Sequence, residues 1–183
     1  MIRFLKVTDH FFCSTLKLSG ILPKAWFSMI EDISELLSGA VKKVFTTMLN
    51  ITAQPEPIDT PVVNGEAHVA GSVGFIGRLT GVVYLYAGES FARKMTSRML
   101  HLPETEIQGN EMVNDVLGEV SNMVVGNIKS RLCDRGMECA LTIPSIVRGK
   151  HFSIEPVSST ERKVISFRCE GSQLVVEVLL KLA

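Results

Sequence analysis

What the sequence lacks narrows it first. There is no CxxC pair: the four cysteines stand at 13, 133, 139 and 169. The step from Cys133 to Cys139 is too open for a zinc knuckle, whose ligands come in closely spaced pairs. Scattered cysteines in a chain of this size read as reduced thiols of a cytosolic protein rather than as a disulfide framework. There is no excess of either charge, since Lys plus Arg and Asp plus Glu number 19 each. That balance removes the electrostatic case for nucleic acid or an anionic membrane, so any charged recognition has to be local. The four histidines are scattered and suggest no metal site. No apolar run approaches the ~18 residues of a membrane span. The opening "MIRFLKVTDHFFCSTLKLSG" is broken by Lys6, Asp9, His10 and Lys17, which makes it a poor signal peptide. A cytoplasmic location is the expectation, with no membrane and no nucleic acid among its partners.

What is present suits a single core: 183 residues, 46% hydrophobic and 21% charged. Residues 1–25 show no clean period and are set aside as an N-terminal extension; 26–183 are taken as one domain. Pro23 can open a helix, and Trp26, Ile30, Ile33, Leu37, Val41, Val44 and Met48 then recur at steps of three and four. That spacing is one apolar face of a long helix ending near Asn50. "QPEPIDTPVVNG" reads as an irregular connection because of its prolines. "EAHVAGSVGFIGRLTGVVYLYAG" reads as two strands joined near Gly77 to Gly81. A helix over "SFARKMTSRMLHL" stops before Pro103, with Phe91, Met95, Met99 and Leu102 inward. A third helix runs from about Asn110 to Asp134 and closes at Gly136. Strands are expected at roughly 139–154, 163–169 and 173–182. Together these predict an α/β (α+β) sandwich, a mostly antiparallel sheet packed against long helices.

The third helix carries the chemistry. Val113, Val116, Leu117, Val120, Val124 and Ile128 form its core face. Almost opposite lie Glu111, Asp115, Glu119, Asn122, Gly126 and Lys129. A surface helix needs a polar face, and that alone would explain them. Gly118 and Gly126, however, each cost such a helix about 1 kcal/mol relative to alanine. A solvated face gains nothing from them, whereas a closely approaching partner needs small residues. Glu119 and Asn122, at i and i+3, project together. Asn127 falls toward the core face and reads as a hydrogen-bonded structural asparagine. Gly71, Gly74 and Gly77 match no nucleotide loop and read as strand glycines at bulges or close packing. "VRGKH", residues 147–151, is basic and can reach a partner, though a hairpin turn explains Gly149 as well.

At the residues of this helix the sequence resembles the CheC, CheX and FliY phosphatases of bacterial chemotaxis. Their motif is Asp or Ser, three residues, Glu, two residues, Asn, and a proline some twenty-odd positions on. Here it reads Asp115, Glu119, Asn122 and Pro144. The resemblance covers about residues 30 to 183, including "VAGSVGFIGRLTGVVYLY", the helix ending "RML" and "TIPSIVRGK". CheC-like members carry a second motif on the first long helix. Here that place reads "EDISELLSGAVKK", with Glu31, Glu35 and then Ser38, which has neither the reach nor the amide of asparagine. A single site, as in the CheX-like branch, is therefore expected, and the resemblance implies a homodimer.

The resemblance further implies hydrolysis of the aspartyl phosphate of a CheY-type response regulator. It assigns Asn122 to the attacking water and Glu119 to the receiver's active-site lysine. It needs no cofactor of the protein's own, because Mg2+ belongs to the receiver. Asp115 either contacts the partner or supports the first half of the helix electrostatically. Gly118 and Gly126 are expected to keep the surface low enough for the partner's loops to close around Asn122. The competing reading is a non-catalytic module, either receiver-binding or like a flagellar-switch component. A more distant one is a small-ligand sensor, which would need an enclosed pocket.

Overall fold

The valine- and glycine-rich stretch beginning at His68 supplies two adjacent inner strands of the sheet. In a computed structural model, residues 24–57, 68–150, 152, 154 and 160–181 are described, with side chains from Ile33 onward. The chain divides into two units, Met1–Ile33 and Ser34–Ala183. Of the first, the described residues are all helical. The expected N-terminal extension lies almost wholly outside the described residues. No helix is long and apolar enough to cross a membrane among the described residues.

Helix α1 (Lys24–Val44) runs into a π-helical turn, Phe45–Leu49, that ends on Asn50 in the left-handed region (φ 52°). The strands that follow are β1 (Ala53–Glu56), β2 (His68–Gly77) and β3 (Thr80–Gly88). Then come α2 (Glu89–Leu100), a short 3-10 turn and α3 (Glu111–Asp134). The chain closes with β4 (Cys139–Leu141), β5 (Ser145–Gly149), β6 (Thr160–Cys169) and β7 (Ser172–Lys181). The seven strands form one sheet in the order β1-β6-β7-β3-β2-β4, with β5 also paired to β2. Every described pairing is antiparallel, so the expected α+β architecture is the observed one.

Alternation along the strands decides what the sheet buries. Val83, Leu85 and Ala87 of β3 and Leu174, Val176, Val178 and Leu180 of β7 are all buried. Gly71 of β2 stands beside Leu85, and Leu85 beside Val176, so these belong to one face. Helix α3 lies on that face: a Cβ on Gly71 would meet Ser121 Oγ at 2.3 Å and Leu117 Cγ at 3.1 Å. The glycine is needed there because Ser121 and Leu117 of the helix already fill the space a side chain would take. The hairpin between β6 and β7 turns through Glu170 (φ 48°) and Gly171 (φ 86°). Positive φ at both central residues matches the twist of the flanking strands.

Four sequence expectations change. The proline-rich connection contains β1, which pairs with β6. As an edge strand it tolerates Pro55, whose missing N–H breaks no inner ladder. The single strand expected at 139–154 is two, separated by Thr142, Ile143 and Pro144. Met48 is 45% exposed rather than inward, because the π turn widens the helix and brings Phe45 and Leu49 into the core instead. Gly149 is no turn: it is the last residue of β5, opposite His68. On α2, Phe91 and Met95 are buried as expected, while Met99 and the following Leu102 are half-buried.

Candidate functional site

Helix α3 is held along its length. Its six expected core residues, Val113, Val116, Leu117, Val120, Val124 and Ile128, are all buried. Ser121, also fully buried, donates its hydroxyl to the Leu117 carbonyl at 2.7 Å and sits over Gly71. At the N-terminal end, Arg148 of β5 donates from Nε to Asn114 Oδ1 at 2.5 Å and pairs with Glu89 at the start of α2. Glu89 also pairs with Arg93 at 3.2 Å. The arginine of "VRGKH" is thus committed within the molecule, tying sheet, α2 and α3 together, rather than reaching out to a partner.

The opposite side of the helix is open. Glu111, Asp115 and Glu119 are exposed; Asn122, Gly126 and Lys129 are half-buried. At about 100° per residue, Asp115, Glu119, Asn122 and Gly126 form one strip. Gly118 borders it on one side and Met123 and Asn127 on the other.

The two glycines differ. Gly118 is buried, with Pro144 above it: a Cβ there would lie 3.5 Å from Pro144 Cβ and 4.0 Å from Ile146 Cδ1. It admits a segment of this chain, which corrects its expected placement on a free surface. Gly126 has nothing within 4 Å of where its Cβ would stand, so it is open.

On the other side, the strip falls into an open groove of ≈ 460 Å³ between the end of α1 and α3. Lys43, Thr47 and Met48 line one wall, and Asn122, Gly126 and Asn127 are among the residues on the other. Asn127 donates its amide to the Met123 carbonyl at 2.9 Å, the structural role expected of it, although it is only half-buried. The groove residues Lys43, Thr47 and Met48 carry no signal in the sequence, where Met48 continues the apolar period of the first helix. Glu35 and Ser38, at the place of a second motif, are exposed and half-buried, while the side chain of Glu31 lies outside the described residues.

Chemically the strip offers carboxylates that accept hydrogen bonds, an amide that both donates and accepts, and an unobstructed approach. Among the described residues no cluster of three or more His, Cys, Asp or Glu is placed to hold a metal.

A helix-covered antiparallel sheet of this kind is also the fold of several CheX proteins. CheX from Desulfovibrio desulfuricans superposes with a TM-score of 0.70 at 25% identity, covering 82% of this chain and 99% of that one. CheX from Vibrio vulnificus gives 0.68 at 24% identity, covering 80% of this chain and 95% of its own. The CheX of a CheX-CheY-BeF3-Mg+2 complex from Borrelia burgdorferi gives 0.68 at 20% identity, covering 81% and 97%. At 24% and 20% identity the likeness to these last two is one of fold. The comparison with curated proteins finds no match. The family model for the chemotaxis phosphatase CheX matches residues 69–168, more than half of the chain. The chain belongs to the CheX family.

Proposed function

We propose that the protein hydrolyses the aspartyl phosphate of a CheY-type response regulator, with Asn122 placing the attacking water and Glu119 fixing the receiver's register. The observation that carries this reading is the pairing of an exposed Glu119 with a half-buried Asn122 one helical step away, beside an open groove. Family membership supports the phosphatase class, and the Borrelia burgdorferi CheX found with CheY supports a receiver as the partner.

An acyl phosphate is already reactive, so acceleration comes chiefly from positioning and electrostatics. The Asn122 amide accepts from and donates to a water without setting a negative charge beside the phosphoryl oxygens. A carboxylate at that position would repel them. Glu119, on the exposed side, pairs with the receiver's lysine, and Mg2+ comes with the receiver. The water's oxygen bonds to phosphorus, the bond from phosphorus to the receiver's carboxylate breaks, and inorganic phosphate leaves. Asp115, one turn earlier and exposed, supports docking, and Gly126 leaves room for the partner's loop. The protein works with a single site, as a homodimer, in the cytoplasm.

The test is the decay of a phosphorylated chemotaxis receiver of the same organism with a small molar fraction of this protein. Turnover of many receivers per chain is the expected result. Binding without accelerated decay would make the protein a docking module instead.

A further inference from the structure

The break between β4 and β5 is a β-bulge with a defined clamp. Phe75 of β2 stands opposite Leu141 and Ser72 opposite Ser145. Val73 and Gly74 therefore face Thr142, Ile143 and Pro144, so the β4–β5 side holds one residue more than its partner. The Gly74 N–H donates to Thr142 Oγ1 at 2.9 Å, and the Thr142 N–H donates to the Gly74 carbonyl at 2.9 Å. A Cβ on Gly74 would press Thr142 Cγ2 at 3.0 Å, so the threonine would have to give by a few tenths of an ångström. Bulges of this kind re-aim a side chain and are over-represented next to active sites. Here the bulge seats Pro144 on Gly118 of the site helix and leaves Ile143 84% exposed.

Single exposed apolar residues are ordinary on protein surfaces. Ile143 differs in being held out by a two-point clamp, on a segment whose next residue touches the helix one turn before Asn122. We infer that Ile143 is an apolar anchor for the receiver, a second contact beside the Glu119 and Asn122 strip, and that Thr142 is its positioning residue. This inference rests on the receiver reading above and names a specificity-determining residue for it. The acidic pair Asp115 and Glu119 orients a partner that carries a lysine; an exposed β-branched side chain on the segment whose next residue, Pro144, covers Gly118 adds affinity that charge alone does not give. The bulge makes no contact with the reacting atoms in this account, so its effect falls on binding and not on the chemical step.

The experiment uses the full chain and the receivers of the same organism, each loaded with beryllofluoride and Mg2+ for binding and phosphorylated for turnover. Ile143→Ala is expected to weaken binding about tenfold, with the rate at saturating receiver and the thermal midpoint unchanged. Ile143→Val should restore most of the affinity. Thr142→Val, which keeps the shape but removes the oxygen, should speed exchange of the Gly74 amide and weaken binding in step. Unchanged binding by Ile143→Ala, or a loss confined to the rate at saturation, overturns the inference while leaving the phosphatase reading intact. Wild-type protein that binds but does not hydrolyse overturns that reading alone, and weaker binding by Ile143→Ala then still upholds the anchor. Failure of the wild type to bind any receiver overturns both.

Discussion

Two glycines on the site helix separate what the fold requires from what a partner requires. At Gly118 a methyl group would make ordinary contact with Pro144 Cβ at 3.5 Å. Gly118→Ala is therefore expected to fold normally and gain up to about 1 kcal/mol from helix propensity. Gly118→Leu would have to lift Pro144 off the helix, and the expected outcome is slower receiver dephosphorylation with the far-UV circular dichroism retained. An active Leu variant would show that the position of Pro144 is immaterial. At Gly126 nothing stands within 4 Å, so only the helix backbone and an incoming molecule are affected. Gly126→Ala should raise the urea midpoint, by about 1 kcal/mol of stability, and lower receiver affinity in titration. Stability gained with affinity unchanged would remove Gly126 from the contact surface.

Elements were legible in proportion to how local their signal is. The β2–β3 pair announces itself by its valines, tyrosines and glycines and the α3 stripe from Val113 to Ile128 by its period, and all six stripe residues are buried. So does the polar strip, because helical spacing alone brings Asp115, Glu119, Asn122 and Gly126 together. Features set by pairing were hidden. β1 carries Pro55, which argues against a strand unless the strand is known to lie at an edge. The β4–β5 bulge is a register shift relative to β2, and Pro144 inside an apolar run was its only local trace. The π turn slips the helix face by one residue and so moved Met48 from the presumed core to the wall of the groove.

Turns can be tested apart from packing. Gly171 has open space around its Cβ position but a φ of 86°, so Gly171→Ala should lose about 1–2 kcal/mol through backbone strain alone. Chemical denaturation would register this as a lowered midpoint with unchanged slope. An unaltered midpoint would mean that the hairpin relaxes to another turn.

At the scale of the whole molecule, pH reports on groups that folding encloses. Burial, with Glu56 and Glu170 nearby, pushes the Cys169 thiol up to about 12. Burial also raises the Tyr86 phenol, which in addition donates to Glu177 at 2.8 Å. Both groups are neutral acids whose folded values exceed their unfolded ones. Their contribution is complete below the unfolded pKa and is lost as pH climbs toward the folded value. Glu170 runs the other way: its hydrogen bond to Lys94, at 2.6 Å, lowers it. Its share is lost as pH falls through the carboxylate range, and exposure keeps that share small. Stability should therefore be nearly flat from about pH 5 to 8 and fall above about pH 9. Urea midpoints across pH 6 to 10.5 would check this, and Cys169→Ala should flatten the alkaline limb. A midpoint that rises with alkalinity would contradict the assignment.

Asn122 is proposed to place the water while other residues hold the receiver, and this division of labour is the central point to test. Its most direct measurement is the single-turnover decay of a phosphorylated receiver bound by wild type and by Asn122→Ala, with affinity determined for both. The variant is expected to bind as the wild type does and to lose roughly a hundredfold or more of the acceleration, as when one positioned polar group is removed from other active sites. An Asn122→Ala protein that still accelerates decay at the wild-type rate would contradict it.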